Sequence, residues 1–129
     1  DDRMAFLSNA ALWSKFRKEQ YRATAFKDPK MQQCRDVFLD LLWADPATAI
    51  TEAGLDERGF GPNQNRGVSH IYGQRAVDTF LEAHGLLMLL RAHEKTTRGF
   101  TMAKSGKVVT VFTSSKYCGT ANWAGVCYV

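Results

Sequence analysis

The chain has 129 residues, of which 45% are hydrophobic and 23% charged, and its formal net charge at pH 7 is +4. These proportions are typical of a folded globular domain and argue against a disordered or membrane-embedded chain. The longest apolar run, residues 85–90, is far short of the roughly 20 residues that span a bilayer, and no secretory signal is recognisable. We therefore expect an intracellular protein, cytoplasmic or nuclear, without a membrane partner.

The first 40 residues are predicted to form a helical segment. Apolar side chains such as Phe6 and Trp13 recur at steps of three and four, which predicts an amphipathic helix over residues 4–26. Pro29 is expected to end that helix, because proline lacks the backbone donor. A second short helix or turn follows over residues 31–42. The pattern fits an insertion, a partner-binding helix or a linker equally.

Charge and cysteine content narrow the classes of partner and cofactor. The basic residues between Lys15 and Arg22 are few and spaced like a solvated helix face, so nucleic acid is not an expected partner. The three cysteines, Cys34, Cys118 and Cys127, are odd in number and lack Cys-x-x-Cys spacing. We therefore predict reduced thiols with a structural role, and neither a disulfide framework nor a zinc ribbon.

Turn-forming residues dominate positions 43–65, and this composition predicts a long loop. Residues 68–72 then favour a strand, and residues 74–83 favour a helix that ends near Gly85 in a left-handed conformation.

The remaining sequence favours strands. Residues 86–90 are predicted to be a buried strand, despite the helical preference of leucine. Residues 100–103 and 107–112 are predicted to form a hairpin across Ser105-Gly106, and residues 126–129 a final strand.

Three polar side chains stand beside these predicted strands and suggest chemistry carried on loops. Arg66 follows a turn-rich segment, His93 follows the strand at 86–90, and Tyr117 follows the second strand of the hairpin. A guanidinium suits phosphate oxygens, an imidazole suits a metal ion, and a phenol can hydrogen-bond an oxyanion. Each residue alone is more often a surface arginine, a hydrogen-bonded histidine or a packed tyrosine. Together they suggest metal-assisted phosphate chemistry.

Several short motifs, in order, give the chain a family resemblance. The chain resembles the calcineurin-like metallophosphatases, specifically the serine/threonine protein phosphatases, over about its last two-thirds. The residues that carry the resemblance are Leu41-Leu42-Trp43-Ala44-Asp45-Pro46, Arg66-Gly67-Val68-Ser69, Phe80-Leu81, Arg91-Ala92-His93, Val109-Thr110-Val111-Phe112, Tyr117-Cys118-Gly119 and residues 124–129.

The resemblance implies an α/β fold, namely the carboxyl-terminal half of a calcineurin-like phosphatase β-sandwich flanked by helices, over residues 41–129. It implies hydrolysis of phosphoserine and phosphothreonine by a hydroxide activated by two metal ions, divalent or mixed manganese, iron or zinc. His93 would be a metal ligand, and Arg66 and Tyr117 would be catalytic and bind the substrate phosphate. Asp45 would sit on the acidic wall of the substrate cleft. The expected partners are phosphoprotein substrates and regulatory or scaffold subunits.

The family's amino-terminal metal motifs, with Gly-Asp, Asp-Arg-Gly and Gly-Asn-His-Glu, do not occur in this sequence, and neither does its His-Gly-Gly segment. Only one metal ligand of the family type, His93, can be identified. Two explanations follow. Either the chain is the carboxyl-terminal half of a longer phosphatase, or it is a catalytically inactive relative that serves as a structural or scaffold subunit of a larger assembly.

Overall fold

A computed structural model describes residues 29–128, so the helix predicted over residues 4–26 lies outside the described residues. The chain divides into two compact units with the boundary between Leu42 and Trp43. Helix α1, Pro29–Trp43, confirms the helix predicted over residues 31–42 and begins two residues earlier. Proline fits at this end because its fixed φ suits the first turn, where its missing N–H has no intrahelical acceptor.

The segment predicted as a long loop contains three short elements, so that prediction is wrong. Strand β1 is Asp45–Pro46, helix α2 is Ala49–Glu52 and strand β2 is Phe60–Pro62. Thr48 and Thr51 form a reciprocal capping box that begins α2. The strands are too short to show a sequence period, and they are fixed by pairing with a later strand.

That later strand is β3, His70–Tyr72, which lies within the predicted strand at 68–72. It pairs in parallel with β1 and antiparallel with β2, giving a sheet of order β1-β3-β2. Helix α3, Gln74–His84, follows at once and ends at Gly85, whose φ of 61° is left-handed. The predicted helix and its glycine C-cap are confirmed.

The second sheet has the order β4-β6-β5, with β4 at Leu89–Arg91, β5 at Phe100–Ala103 and β6 at Val108–Val111. Strands β5 and β6 are antiparallel, which confirms the predicted hairpin, and β4 is parallel to β6. The strand predicted at 86–90 was placed too early. Leu87 is 88% exposed, and pairing with β6 begins only at Leu89.

The strand predicted at the end of the chain is also wrong, since residues 126–128 have no regular secondary structure. The segment just before them is held by two glycines whose backbones are in contact. Gly99 has a φ of 81°, and a Cβ on it would overlap Ala124 and Gly125. A Cβ on Gly125 would overlap Gly99 in turn. Phe112 N donates to Gly99 O at 2.8 Å, and Gly125 N donates to Phe112 O at 2.9 Å.

A small apolar cluster joins α3 to both sheets and confirms the α/β prediction. Its buried members are Val77, Leu81 and Val108, with Tyr72, Leu89 and Ala103 packed against them. Because Tyr72 comes from the first sheet and Val108 from the second, the cluster packs the two sheets together through α3. Within residues 29–128, no helix has the length and apolar character needed to cross a membrane.

Candidate functional site

The carboxylate of Asp45, at the start of β1, is the centre of a group of charged and polar side chains. Asp45 is 7% exposed. Its Oδ2 accepts from Arg66 Nε at 2.9 Å and from Asn63 Nδ2 at 3.0 Å, and its Oδ1 accepts from Arg91 Nη2 at 2.9 Å. We call Asp45, Asn63, Arg66, Arg91 and Glu94 the Asp45 cluster.

The cluster keeps Asp45 ionised. Burial raises the pKa of this carboxyl, but hydrogen bonds from Arg66 and Asn63 and the charges of Arg66 and Arg91 outweigh burial and lower the pKa below its ordinary value. The hydrogen bond to Asp45 also raises the pKa of Arg66. Both oxygens of Asp45 are therefore committed to cationic or amide donors.

Arg91, the last residue of β4, has a side chain that is 11% exposed, and it joins three parts of the fold. Its Nη2 also donates to Ala44 O at 3.1 Å, and its Nη1 donates to Thr110 Oγ1 at 3.2 Å and to the carboxylate of Glu94. The sequence pattern gave no role to Arg91 beyond its place in the Arg-Ala-His motif. The available sequence signal was its position directly after the strand predicted at residues 86–90.

Arg66 lies in the turn between β2 and β3, and its side chain is held by Asp45 through Nε. Gly67, with a φ of 68°, allows the chain to turn there, and Arg66 N donates to Asn63 O at 3.2 Å. Within the described part of the chain, the two terminal nitrogens of Arg66 donate to no protein group, and the side chain is 29% exposed. Its guanidinium carbon lies 5.7 Å from the centre of the Trp43 ring, within cation–π range.

His93 contacts the same tryptophan. The imidazole and the Trp43 ring meet edge to face, with centroids 4.9 Å apart. His93 is exposed, and its backbone φ of 81° is unusual for a residue other than glycine. The structure therefore brings two of the three predicted site residues, Arg66 and His93, to one aromatic ring. The sequence did not predict that Trp43 contacts both side chains.

Tyr117 occupies a separate turn. It begins a short 3-10 helix, Tyr117–Gly119, and its ring meets Phe112 edge to face at 5.2 Å. The buried amide of Asn122 organises this turn, accepting from Tyr117 N at 2.8 Å and donating to Ser114 O at 2.6 Å. No contact within residues 29–128 joins the Tyr117 ring to Arg66 or His93. The convergence of all three residues stays a prediction.

The comparisons with known proteins agree on one family, although no family model matches the chain. Serine/threonine-protein phosphatase T of Saccharomyces cerevisiae is 38% identical over 93 residues, covering 71% of this chain and 16% of that protein. The PP2A-like serine/threonine-protein phosphatase PPG1 of Candida albicans is 32% identical over 82 residues, covering 64% of this chain and 18% of that protein. The chain is homologous to serine/threonine protein phosphatases.

A solved structure supports the same assignment. A protein serine/threonine phosphatase from Saccharomyces cerevisiae with similarity to human phosphatase PP5 matches 74% of this chain with a TM-score of 0.52 and 34% identity. The match covers 25% of that structure. The predicted phosphatase family and fold are therefore confirmed, and the chain spans no more than about a quarter of these relatives.

The described residues of this phosphatase homologue do not by themselves fit the expected two-metal centre. Between residues 29 and 128, no group of three or more His, Cys, Asp or Glu side chains could hold a metal ion. Both oxygens of Asp45 already accept hydrogen bonds from cluster partners. His93 can contribute one imidazole nitrogen, and a two-metal site needs several further ligands.

The cysteines of the phosphatase homologue differ in part from their predicted role. Cys34, Cys118 and Cys127 are free thiols, in agreement with the prediction of no disulfide framework. Cys118 and Cys127 are exposed, so they do not contribute to the buried core as the predicted structural role required.

Proposed function

We propose that the chain is the carboxyl-terminal half of the catalytic domain of a metal-dependent phosphatase that hydrolyses phosphoserine and phosphothreonine in proteins. The observation that carries the proposal is the state of Arg66. Its Nε donates to Asp45, its two terminal nitrogens have no partner among residues 29–128, and it shares the Trp43 ring with His93. An intracellular location, cytoplasmic or nuclear, belongs to the same proposal.

Arg66 is assigned the binding of the substrate phosphate. A guanidinium held at Nε can direct both terminal N–H groups at two oxygens of one phosphate, which is the bidentate geometry that arginine favours. Because Asp45 accepts a hydrogen bond from Arg66 Nε, it orients the guanidinium group and balances the positive charge of Arg66 before substrate binds. The ion pairs thus favour a positioning role for Asp45 over direct contact with the substrate. Tyr117 remains our candidate for the wall of the phosphate pocket.

His93 is assigned as a metal ligand, with the remaining ligands supplied from outside the described residues. In a phosphatase of this family, two ions such as manganese, iron or zinc would activate the attacking water. The edge-to-face contact with Trp43 restricts the imidazole ring, and metal-binding histidines are usually oriented by neighbouring groups. The expected partners are phosphoprotein substrates and regulatory or scaffold subunits.

The proposal is tested by phosphate release from phosphoserine peptides, using the intact protein that contains this chain. We expect Arg66→Ala and His93→Gln each to lower kcat/KM by about 10²- to 10³-fold, the effect of removing one group that stabilises charge in the transition state. Arg66→Lys should recover little, because an ammonium cannot bind bidentately. Arg75→Ala is the matched control, since Arg75 is an exposed cation outside the Asp45 cluster. Unchanged activity in both site variants would remove the catalytic assignment.

The alternative is a catalytically inactive, phosphatase-like scaffold subunit. The feature that favours it is the Asp45 cluster, whose ion pairs stabilise the fold whether or not a substrate binds. Metal analysis of the purified protein separates the two, because an active phosphatase should contain about two metal ions per chain. A protein without bound metal and without phosphate release, but with a stable fold, would support the scaffold.

A further inference from the structure

A polar cavity is lined by residues that begin two positions after His93. It has a volume of about 400 Å³ and is lined by Lys95, Thr96, Thr97, Arg98, Phe100 and Thr101. The lining provides two cationic side chains and three hydroxyl groups, and no carboxylate. We call this the Lys95–Thr101 cavity. Its composition suits an anionic ligand.

The two cations in this cavity are available for a ligand. Lys95 and Arg98 are both exposed. Lys95 Nζ lies 3.5 Å from Thr120 Oγ1, a long contact with a neutral group. Within residues 29–128, neither side chain is in an ion pair with a carboxylate. Two nearby lysines differ in this respect, since Lys104 pairs with Glu52 and Lys107 pairs with Asp78.

Thr96 adds a second, independent indication of a ligand. It is 7% exposed, and its hydroxyl has no hydrogen-bond partner in the described part of the chain. Buried polar atoms are nearly always hydrogen-bonded, and a lone hydroxyl costs free energy unless a partner is supplied. A ligand oxygen that reached this hydroxyl would provide the acceptor that Thr96 lacks among the described residues.

The cavity is also connected to both parts of the candidate site. On one side it begins two residues after His93. On the other side Lys95 contacts Thr120, whose hydroxyl donates to Tyr117 O at 2.7 Å. The backbone N of Trp123 donates to Thr97 O at 3.0 Å, which fixes the lining segment against the chain that follows the Tyr117 turn. A peptide bound at His93 could therefore reach the cavity with a neighbouring residue.

We propose that the Lys95–Thr101 cavity binds a carboxylate side chain of the substrate next to the phosphorylated residue, so that the protein selects acidic phosphopeptides. The selection of substrates rests on the proposed phosphatase function, whereas the binding of carboxylates does not. Charge complementarity supports the assignment, because Asp45 is paired with Arg66 and Arg91, while Lys95 and Arg98 have no carboxylate partner in the described part of the chain.

The test uses the intact protein and three fluorescent peptide series that differ only in the residues flanking one serine: Asp/Glu, Ser/Ala and Lys/Arg. Binding of the unphosphorylated peptides is measured by anisotropy, and kcat/KM is measured with their phosphoserine forms. The test variant is Lys95→Glu/Arg98→Glu. The control is Arg58→Glu/Arg75→Glu, which changes net charge equally at two other exposed arginines.

We expect the wild type to prefer the acidic series over the neutral one by roughly fivefold in both measurements, since two exposed ion pairs contribute modestly. The test variant should lose this preference and favour the basic series, whereas the control should keep the acidic preference. The preference should also fall as salt is raised. Equal affinity for acidic and neutral peptides, or an equal loss in the control, would overturn the proposal.

Two further outcomes separate this proposal from other possibilities. If acidic peptides bind through Lys95 and Arg98 but no phosphate is released, the phosphatase function fails while the carboxylate site stands. If instead a peptide with a second phosphoserine binds far more tightly than its aspartate counterpart, and this depends on Lys95 and Arg98, the cavity is a phosphate site and the carboxylate assignment is wrong.

Discussion

The two sides of the Asp45 cluster hold the same carboxylate in different ways. On the β4 side, the Arg91 side chain is 11% exposed and donates hydrogen bonds to Ala44, Asp45, Glu94 and Thr110. On the side of the turn before β3, Arg66 gives only Nε to Asp45. The first arginine contributes to the fold, and the second is our proposed phosphate-binding residue. The exposed fraction of the side chain, 11% for Arg91 and 29% for Arg66, distinguishes the two.

The largest effect on stability is expected from Arg91→Met. This change leaves the buried carboxylate of Asp45 with one cation fewer and removes the donor to Ala44 O. Removing one partner of a buried ion pair costs about 3–5 kcal/mol. Chemical denaturation should show this loss in the free energy of unfolding, and Arg75→Met should change it by less than about 0.5 kcal/mol. Similar values for the two variants would show that the Arg91 ion pairs are not structural.

The next largest effect is expected in the pH dependence of stability, to which Asp45 contributes. Because the folded-state pKa of Asp45 is lowered, its ionised form stabilises the protein above the unfolded-state pKa, near 3.8. That contribution is lost as the pH falls through the lowered folded-state pKa. We expect Asp45→Asn to be less stable than wild type at pH 7 and to lose less stability on acidification. Parallel stability curves for the two proteins between pH 7 and pH 3 would contradict this.

Arg66→Ala should have a much smaller effect on stability than Arg91→Met. Arg66 is partly exposed, and an ion pair in that setting contributes about 1 kcal/mol or less. The same denaturation experiment measures this value. A loss as large as that of Arg91→Met would assign Arg66 to the fold and weaken its proposed role in binding phosphate.

The smallest effect, a decrease in kcat/KM, is expected from Trp43→Leu. This change removes the ring that Arg66 and His93 share, and each contact of this kind contributes about 0.5–1 kcal/mol. We expect a several-fold decrease in kcat/KM, with Trp43→Phe retaining most activity because it keeps an aromatic face. A leucine variant with wild-type kinetics would show that the shared ring does not position the two side chains.

Local signals were enough to predict the parts of the fold that depend on near neighbours. Gly85 marked the end of α3, and Ser105-Gly106 marked the hairpin between β5 and β6. Strands β1 and β2 were missed because two or three residues show no period and are held by pairing with β3. The same reason explains the misplaced β4, whose first paired residue is set by its partner strand.

The sequence predicted only those site residues that lie within the family motifs. Arg66 and His93 were identified through short motifs that the phosphatases share, and the structure brings both to Trp43. Arg91 was not assigned a role, because its bond to Asp45 spans 46 positions and no local pattern reports it. The cavity after His93 likewise depends on the path of the backbone, which composition and spacing do not specify.

The contact between Gly99 and Gly125 has a consequence for how relatives of this chain can diverge. Each glycine leaves the space that the other's backbone fills, so a side chain at either position would displace the segment around Ala124. Neither position can acquire a larger residue unless the crossing itself is remodelled. Homologues that keep this crossing should therefore retain glycine at both sites, and those that lose one should lose the pair.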